Sequence, residues 1–133
     1  MKSLYFATIL SIIICFSPVY AQDIRWGGSS VGKVESNGDV RIGGSVKGRF
    51  ESNGDIRVGG SVEGKIESNG NIRVGGGVKG KIESNGDVRI DGRVVGKVES
   101  NGDIRKGGRV VGSAKGMNTG QAAALFFFDF FRF

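Results

Sequence analysis

The feature that most constrains this chain is a repeat of 16 residues. The block Asp39-Val40-Arg41-Ile42 returns in closely similar form from positions 55, 71, 87 and 103, and an earlier copy begins at Asp23. An array of fixed period builds one structural unit per repeat, and each unit buries its apolar face against its neighbours. The fold must therefore be generated by this repeat.

Glycine recurs at three positions of each repeat. The first series is Gly28, Gly44, Gly60, Gly76, Gly92 and Gly108, and the second is Gly32, Gly48, Gly64, Gly80, Gly96 and Gly112. The third series lies in a Ser-Asn-Gly tripeptide at Gly38, Gly54, Gly70, Gly86 and Gly102. Glycine and asparagine favour turns because both tolerate positive φ. We interpret the three series as the three corners of a coil.

The segments between these glycines alternate apolar and polar residues, which is the period of a β-strand. The side chains predicted to point inward are Val46, Val62, Val78 and Val94; Val34, Phe50, Ile66, Ile82 and Val98; Val40, Ile56, Ile72, Val88 and Ile104; and Ile42, Val58, Val74 and Ile90. Because a single repeat cannot close a core, we expect successive repeats to stack through parallel strands. The chain is therefore predicted to be an all-β, single-stranded β-solenoid, a triangular β-helix of about six 16-residue rungs. Trp26 and Lys106, which occupy the slot of Ile42, mark its two ends.

Two stretches of the array, 87–100 and 60–68, resemble a rung of the bactofilins, and the likeness extends over about residues 23–112. Bactofilins are bacterial triangular β-helices that polymerise end to end without nucleotide. The resemblance implies the same fold and self-association through the ends of the coil. This chain differs in a shorter, more uniform repeat and in its N-terminal segment.

Residues 1–21 have the pattern of a secretory signal peptide, with Lys2 before an apolar core and Val19-Tyr20-Ala21 at the cleavage site. We therefore predict an exported protein, periplasmic, outer-membrane-associated or extracellular. The single Cys, Cys15, falls inside this segment, and the sequence has no His. Thiol and imidazole catalysis, and metal sites built on those ligands, are excluded from residues 22–133. We expect no cofactor and no metal.

The outward residues form ladders of charge. A basic ladder suited to a polyanion such as a surface polysaccharide consists of Arg25, Arg41, Arg57, Arg73, Arg89 and Arg105. Acidic residues accompany it in every repeat, so a self-neutralised, solvated face is the simpler alternative. Stacked aromatic residues, which single-stranded nucleic acid binding uses, are missing from the ladder, and we expect no nucleic-acid partner. The identical setting of each carboxylate also argues against an enzyme.

A C-terminal tail, residues 117–133, follows the repeat domain of residues 22–116. Its aromatic residues, with Trp26, are the candidates for assembly or anchoring: Phe126, Phe127, Phe128, Phe130, Phe131 and Phe133. The tail could fold back as an apolar flap over the last repeat. Alternatively, it could stay exposed for self-assembly or for contact with a membrane interface.

Two functions follow from these patterns. The first is a non-enzymatic, self-assembling scaffold or fibre subunit of the cell envelope, associating end to end. The second is a monomeric module that binds an envelope polysaccharide or another polyanion and is anchored by its hydrophobic tail.

Overall fold

The computed structural model describes residues 22–133, so the predicted signal peptide lies outside the described residues. Twelve strands and one helix make up this part of the chain. The strands are Gln22–Trp26 (β1), Ser29–Val34 (β2), Asp39–Ile42 (β3), Ser45–Phe50 (β4), Asp55–Val58 (β5), Ser61–Ile66 (β6), Asn71–Val74 (β7), Gly77–Ile82 (β8), Asp87–Ile90 (β9), Arg93–Val98 (β10), Asp103–Lys106 (β11) and Arg109–Ser113 (β12). The helix is Thr119–Phe127 (α1).

The strands form one closed antiparallel barrel. Each strand pairs with its neighbours in sequence, and β12 returns to pair with β1 through Arg25 opposite Ser113 and Trp26 opposite Gly112. The prediction of a triangular β-helix with parallel strands is therefore wrong. Each repeat supplies two antiparallel strands and two turns instead of one rung with three corners. Closure pairs every strand of residues 22–133 on both sides, so the described barrel has no open edge.

The turns explain the antiparallel arrangement. Two residues, such as Gly43-Gly44, join one strand to the next, and both have positive φ (60° and 88°). A two-residue turn of this kind matches the twist of a β-hairpin and reverses the chain. The four-residue turns, such as 35–38, contain Ser-Asn-Gly. All two-residue turns lie at one end of the barrel, the Gly-Gly end, and all four-residue turns lie at the other, the Ser-Asn-Gly end.

The second glycine series does not form corners. Gly48 lies within β4 and faces inward opposite Val40, and its counterparts occupy the same place in the other long strands. A β-bulge follows at once, because Val40 pairs with Gly48 whereas Arg41 pairs with Val46, which leaves Lys47 as the extra residue. The same register shift occurs in all six repeats.

The bulge corrects part of the predicted core. Strict alternation from Phe50 places Val46 inside, but the extra residue turns it outward. Val46, Val62, Val78 and Val94 are therefore exposed, at 46–49% of their surface. Val74, predicted to be inside, is also exposed, while Ile42 is buried and Val58, Ile66 and Ile90 are partly buried. The remaining predicted inward residues are buried: Val34, Phe50, Ile82 and Val98, and Val40, Ile56, Ile72, Val88 and Ile104.

The C-terminal segment fills the barrel. After β12 the chain turns at the Ser-Asn-Gly end, and Asn118 caps α1 by accepting a hydrogen bond from the Gln121 amide at 3.1 Å. The helix then passes inside the wall, with Ala122, Ala123 and Ala124 fully buried. Its first turn lies against the wall, since Gly120 approaches Ile66. A helix that is apolar all round is stable only when it is enclosed, and the barrel encloses it.

The phenylalanines of the tail lie over the inward glycines in order around the wall. A methyl group added to Gly112, Gly96, Gly80, Gly64 or Gly48 would lie 2.5–3.0 Å from a ring carbon of Phe126, Phe127, Phe128, Phe130 or Phe131, respectively. Each step along the tail moves to the preceding repeat. Glycine is needed here because any larger side chain would occupy the space of a ring, and the same methyl group would also meet a backbone carbonyl oxygen of the adjacent strand at 2.0–2.3 Å.

We expect Gly64→Ala to destabilise the protein by about 1–3 kcal/mol, since overpacking forces the wall or Phe130 to move. Gly76→Ala is the matched control, because Gly76 lies in a two-residue turn without positive φ, and a methyl group added there would meet nothing within 4 Å. Urea unfolding monitored by circular dichroism measures both. Equal losses for the two variants would contradict the seating of Phe130 on Gly64.

Replacing Phe130 by Ala should lower the free energy of unfolding by about 3–5 kcal/mol, because the ring is buried inside the barrel against Gly64 of the wall. Phe133→Ala serves as a control within the same segment, since 37% of Phe133 is exposed, and it should cost clearly less. The thermal midpoints of the two variants test this difference. A larger effect at Phe133 would show that the tail is not held as described.

Candidate functional site

The arginine ladder forms a belt around the outside of the barrel, and its members are engaged within the protein. Arg41 Nε donates to Glu35 Oε2 at 2.7 Å, and Arg89 repeats this contact with Glu83 at 2.7 Å. The corresponding pairs in the other repeats are Arg57–Glu51, Arg73–Glu67 and Arg105–Glu99. Nη1 of each arginine also donates to a carbonyl of the next two-residue turn, at 2.9–3.3 Å.

This belt links the two ends of the barrel. Each glutamate belongs to a four-residue turn and each accepting carbonyl to a two-residue turn. One guanidinium therefore binds the turns at both ends of its own short strand. Arg25, in the first repeat, donates to Gly28 O at 2.7 Å. The paired arginine side chains keep 38–42% of their surface exposed. Because the acidic residues of the belt nearly balance its basic ones, the belt is a poor source of attraction for a polyanion.

The aromatic candidates are mostly inside the barrel. The buried ones are Phe126, Phe127, Phe128, Phe130 and Phe131. Of the two predicted alternatives, the apolar flap therefore agrees better with the structure than the exposed tail. The segment fills the lumen, however, and does not cover a last repeat. Trp26 stacks on Phe126 with ring centroids 5.9 Å apart, and it meets the edge of Phe133 at 5.8 Å. These contacts place Trp26 and Phe133 at the Gly-Gly end.

A groove of about 580 Å³ opens at the Ser-Asn-Gly end, between the rim and the first turn of α1. Its floor is apolar, formed by Phe50, Ile66 and Ile82. Three successive turns contribute one Glu-Ser pair each, and the helix side is polar. The polar lining residues are Glu51, Ser52, Glu67, Ser68, Asn69, Glu83, Ser84, Asn118, Thr119 and Gln121. A neighbouring recess of about 330 Å³ continues past the turn that contains Ser36.

The asparagines of these turns hold the rim in shape. Asn37 Oδ1 accepts from the Asp39 amide at 3.0 Å, and the same bond recurs in every four-residue turn. The side chain thus closes its own turn, the usual role of Asn at this position. Successive Glu-Ser pairs are two strands apart, a spacing of about 10 Å along the wall.

The carboxylate of Glu67, in the middle of the groove, is held ionised. The hydrogen bond from Arg73 lowers the pKa of Glu67 below its ordinary value of 4.5, with smaller contributions from the charges of Arg73 and Lys65 and from the Asn71 amide, while desolvation opposes them. Arg73 binds Oε2 of this carboxylate. The groove therefore offers carboxylate oxygens as acceptors beside serine hydroxyls, which both donate and accept.

The sequence patterns do not predict this groove. Ser52, Ser68 and Ser84 repeat every 16 residues and indicate only turns, and the entry of α1 between them depends on the tail folding inward. Within residues 22–133, no three His, Cys, Asp or Glu side chains converge on a position that could hold a metal ion. The described helix, with nine residues, is too short to cross a bilayer.

Comparison with protein-family models, with curated proteins and with solved structures finds no match to this chain.

Arg73→Gln should raise the pKa of Glu67 towards 4.5, because it removes the strongest interaction of the ionised carboxylate. A carboxyl whose folded pKa is lowered stabilises the fold above its unfolded pKa, and this contribution disappears as pH falls through the folded pKa. The variant should therefore lose less stability than the parent between pH 6 and pH 3. Carbon-detected NMR titration gives the pKa, with Arg57→Gln as a control that leaves Glu67 in place with its partner. An unchanged Glu67 titration in Arg73→Gln would disprove the assignment.

Proposed function

We propose that the protein is a non-enzymatic binding module that holds a neutral, hydroxyl-rich ligand, an oligosaccharide, in the groove at the Ser-Asn-Gly end. The observation that carries this proposal is the repeated Glu-Ser lining over an apolar floor. Because its own tail fills the barrel, ligands must be bound at the rims or on the outside.

The groove has the chemistry that a sugar requires. Sugar hydroxyls donate to carboxylate oxygens and accept from hydroxyl and amide donors, here Ser68, Thr119 and Gln121. The C–H face of a pyranose ring suits the apolar floor. Binding sites of this type combine an apolar surface with a few polar groups that fix orientation.

The spacing of the lining favours a chain of sugars over a single ring. Glu51-Ser52, Glu67-Ser68 and Glu83-Ser84 repeat at about 10 Å, close to the length of two linked pyranose rings. A ligand with that period could make the same contacts at successive turns. The groove and its neighbouring recess share Phe50, Glu51, Ser52, Asn118 and Gln121, so their lining is continuous along the rim.

The charges favour a neutral ligand. Glu51, Glu67 and Glu83 line the groove. Each is paired with an arginine of the belt, so the groove carries little net charge with which to attract an ionic polymer. Hydrolysis of the sugar has no support, since a glycosidase needs two carboxyl groups in different environments. Here each groove glutamate is paired in the same way with its own arginine, so their environments are alike.

The self-assembling scaffold stays a prediction, as does export. End-to-end assembly of a coil depends on unpaired end rungs, and the closed barrel has none between residues 22 and 133. Elongated particles of the purified protein without ligand would favour the scaffold over the binding module.

Isothermal titration with a panel of neutral oligosaccharides tests the proposal. Ser68→Ala should weaken binding roughly fivefold, from the loss of about 1 kcal/mol in one hydrogen bond. Ser100→Ala is the matched control, because Ser100 occupies the same place in a repeat outside the groove. The proposal fails if no oligosaccharide binds at millimolar concentration, or if Ser68→Ala and Ser100→Ala weaken binding equally.

A further inference from the structure

The exposed large apolar side chains of residues 22–133 all lie in the half of the barrel that carries the two-residue turns. They are Trp26, Val46, Val62, Val74, Val78, Val94, Val95, Val110 and Phe133. Among the described residues, the half of the barrel at the Ser-Asn-Gly end has no exposed large apolar side chain. The molecule is therefore amphipathic along the barrel axis.

Five of these residues form a ring. Val46, Val62, Val78, Val94 and Val110 occupy the second position after each two-residue turn, on the outside of the wall, with 46–49% of their surface exposed. They are two strands apart, so about 10 Å separates neighbours. Ser30 interrupts the ring in the first repeat. Trp26, 39% exposed, and Phe133 lie near this gap.

The same end carries the excess positive charge. Charged residues of this end lie in the bulges, in the turns and the strand ends beside them, and in the final segment. The basic ones are Lys47, Lys79, Arg93, Lys106, Arg109 and Arg132, against the acidic residues Glu63, Asp91 and Asp129. One of the lysines, Lys79, faces Asp91 at 3.5 Å. The arginine belt is neutralised by glutamate, so most of the excess of the described chain is concentrated here.

We propose that the Gly-Gly end docks on the surface of a lipid bilayer that contains anionic headgroups. The valine ring enters the boundary between headgroups and acyl chains, where interfacial apolar faces are buried by about 5–10 Å. Trp26 and Phe133 lie at that boundary, as interfacial aromatic side chains do. The surrounding lysines and arginines contact the lipid phosphates.

Charge selects a membrane over a second copy of this chain. Two Gly-Gly ends meeting face to face would bring together two patches of the same sign, which repel. An anionic bilayer provides apolar contact and opposite charge together. Docked in this way, the protein holds its Ser-Asn-Gly groove away from the bilayer, and the docking does not depend on what that groove binds.

Co-sedimentation of residues 22–133 with vesicles of phosphatidylcholine and phosphatidylglycerol tests the proposal. The protein should bind these vesicles, bind pure phosphatidylcholine far more weakly, and detach in high salt. The triple variant Val62→Ser/Val78→Ser/Val94→Ser should lose about tenfold or more in partition, since it removes apolar area without removing charge. These valines are exposed, so the fold should persist, and circular dichroism checks that it does.

Two triple variants that remove the same number of positive charges distinguish docking at this end from a general electrostatic attraction to the bilayer. Lys47→Gln/Arg93→Gln/Arg109→Gln should reduce partition by about a hundredfold. Lys33→Gln/Lys81→Gln/Lys97→Gln should reduce it far less, because these lysines lie opposite belt arginines on the neighbouring strands, away from the Gly-Gly end. Equal loss from both triples would overturn the proposal. So would the absence of vesicle binding, or sedimentation equilibrium showing a dimer that the valine substitutions dissociate.

Discussion

The fit of the tail phenylalanines onto the inward glycines is the interaction on which the rest of the structure depends. In a barrel of eight strands, the side chains of the wall can fill the lumen, whereas wider barrels leave space inside. This barrel has twelve strands, and each long strand presents a glycine inward, so the side chains of the wall leave the middle of the lumen empty. The tail supplies the missing volume, and Phe126 to Phe131 place one ring on each of five glycines. Neither part has a complete core without the other.

The β-bulge determines how the two ends differ. Without the extra residue at Lys47, alternation from Phe50 would turn Val46 inward and leave the outside of the Gly-Gly end polar. With it, one apolar side chain per repeat faces solvent, next to an arginine that is bound to glutamate. The four-residue turns contain no bulge, and their residues are polar. One local irregularity, repeated with the sequence, thus makes the barrel amphipathic along its axis.

Much of the wall could be predicted from the sequence. The repeat, the strands and the buried series from Val40 to Ile104 follow from alternation alone. Whether the strands pair in parallel or antiparallel could not be predicted from alternation, because a 16-residue period suits one turn of a coil with parallel strands as well as a pair of antiparallel strands. Gly43-Gly44 was the available signal, since two adjacent residues with positive φ reverse a chain. The bulge left no comparable mark, and the groove depends on where α1 enters, which the repeat does not encode.

The departures from the repeat determine how the C-terminal segment is seated inside the barrel. In a barrel of six identical repeats, the rings could occupy several equivalent rotational positions. Trp26 and Lys106 replace the aliphatic residue found at their slot in the other repeats, and both contact the end of α1. Trp26 stacks on Phe126, while Lys106 Nζ lies 5.3 Å from the Trp26 ring and 4.9 Å from that of Phe127. Since these contacts exist at one position only, they favour a single register, and each later ring then follows its own glycine.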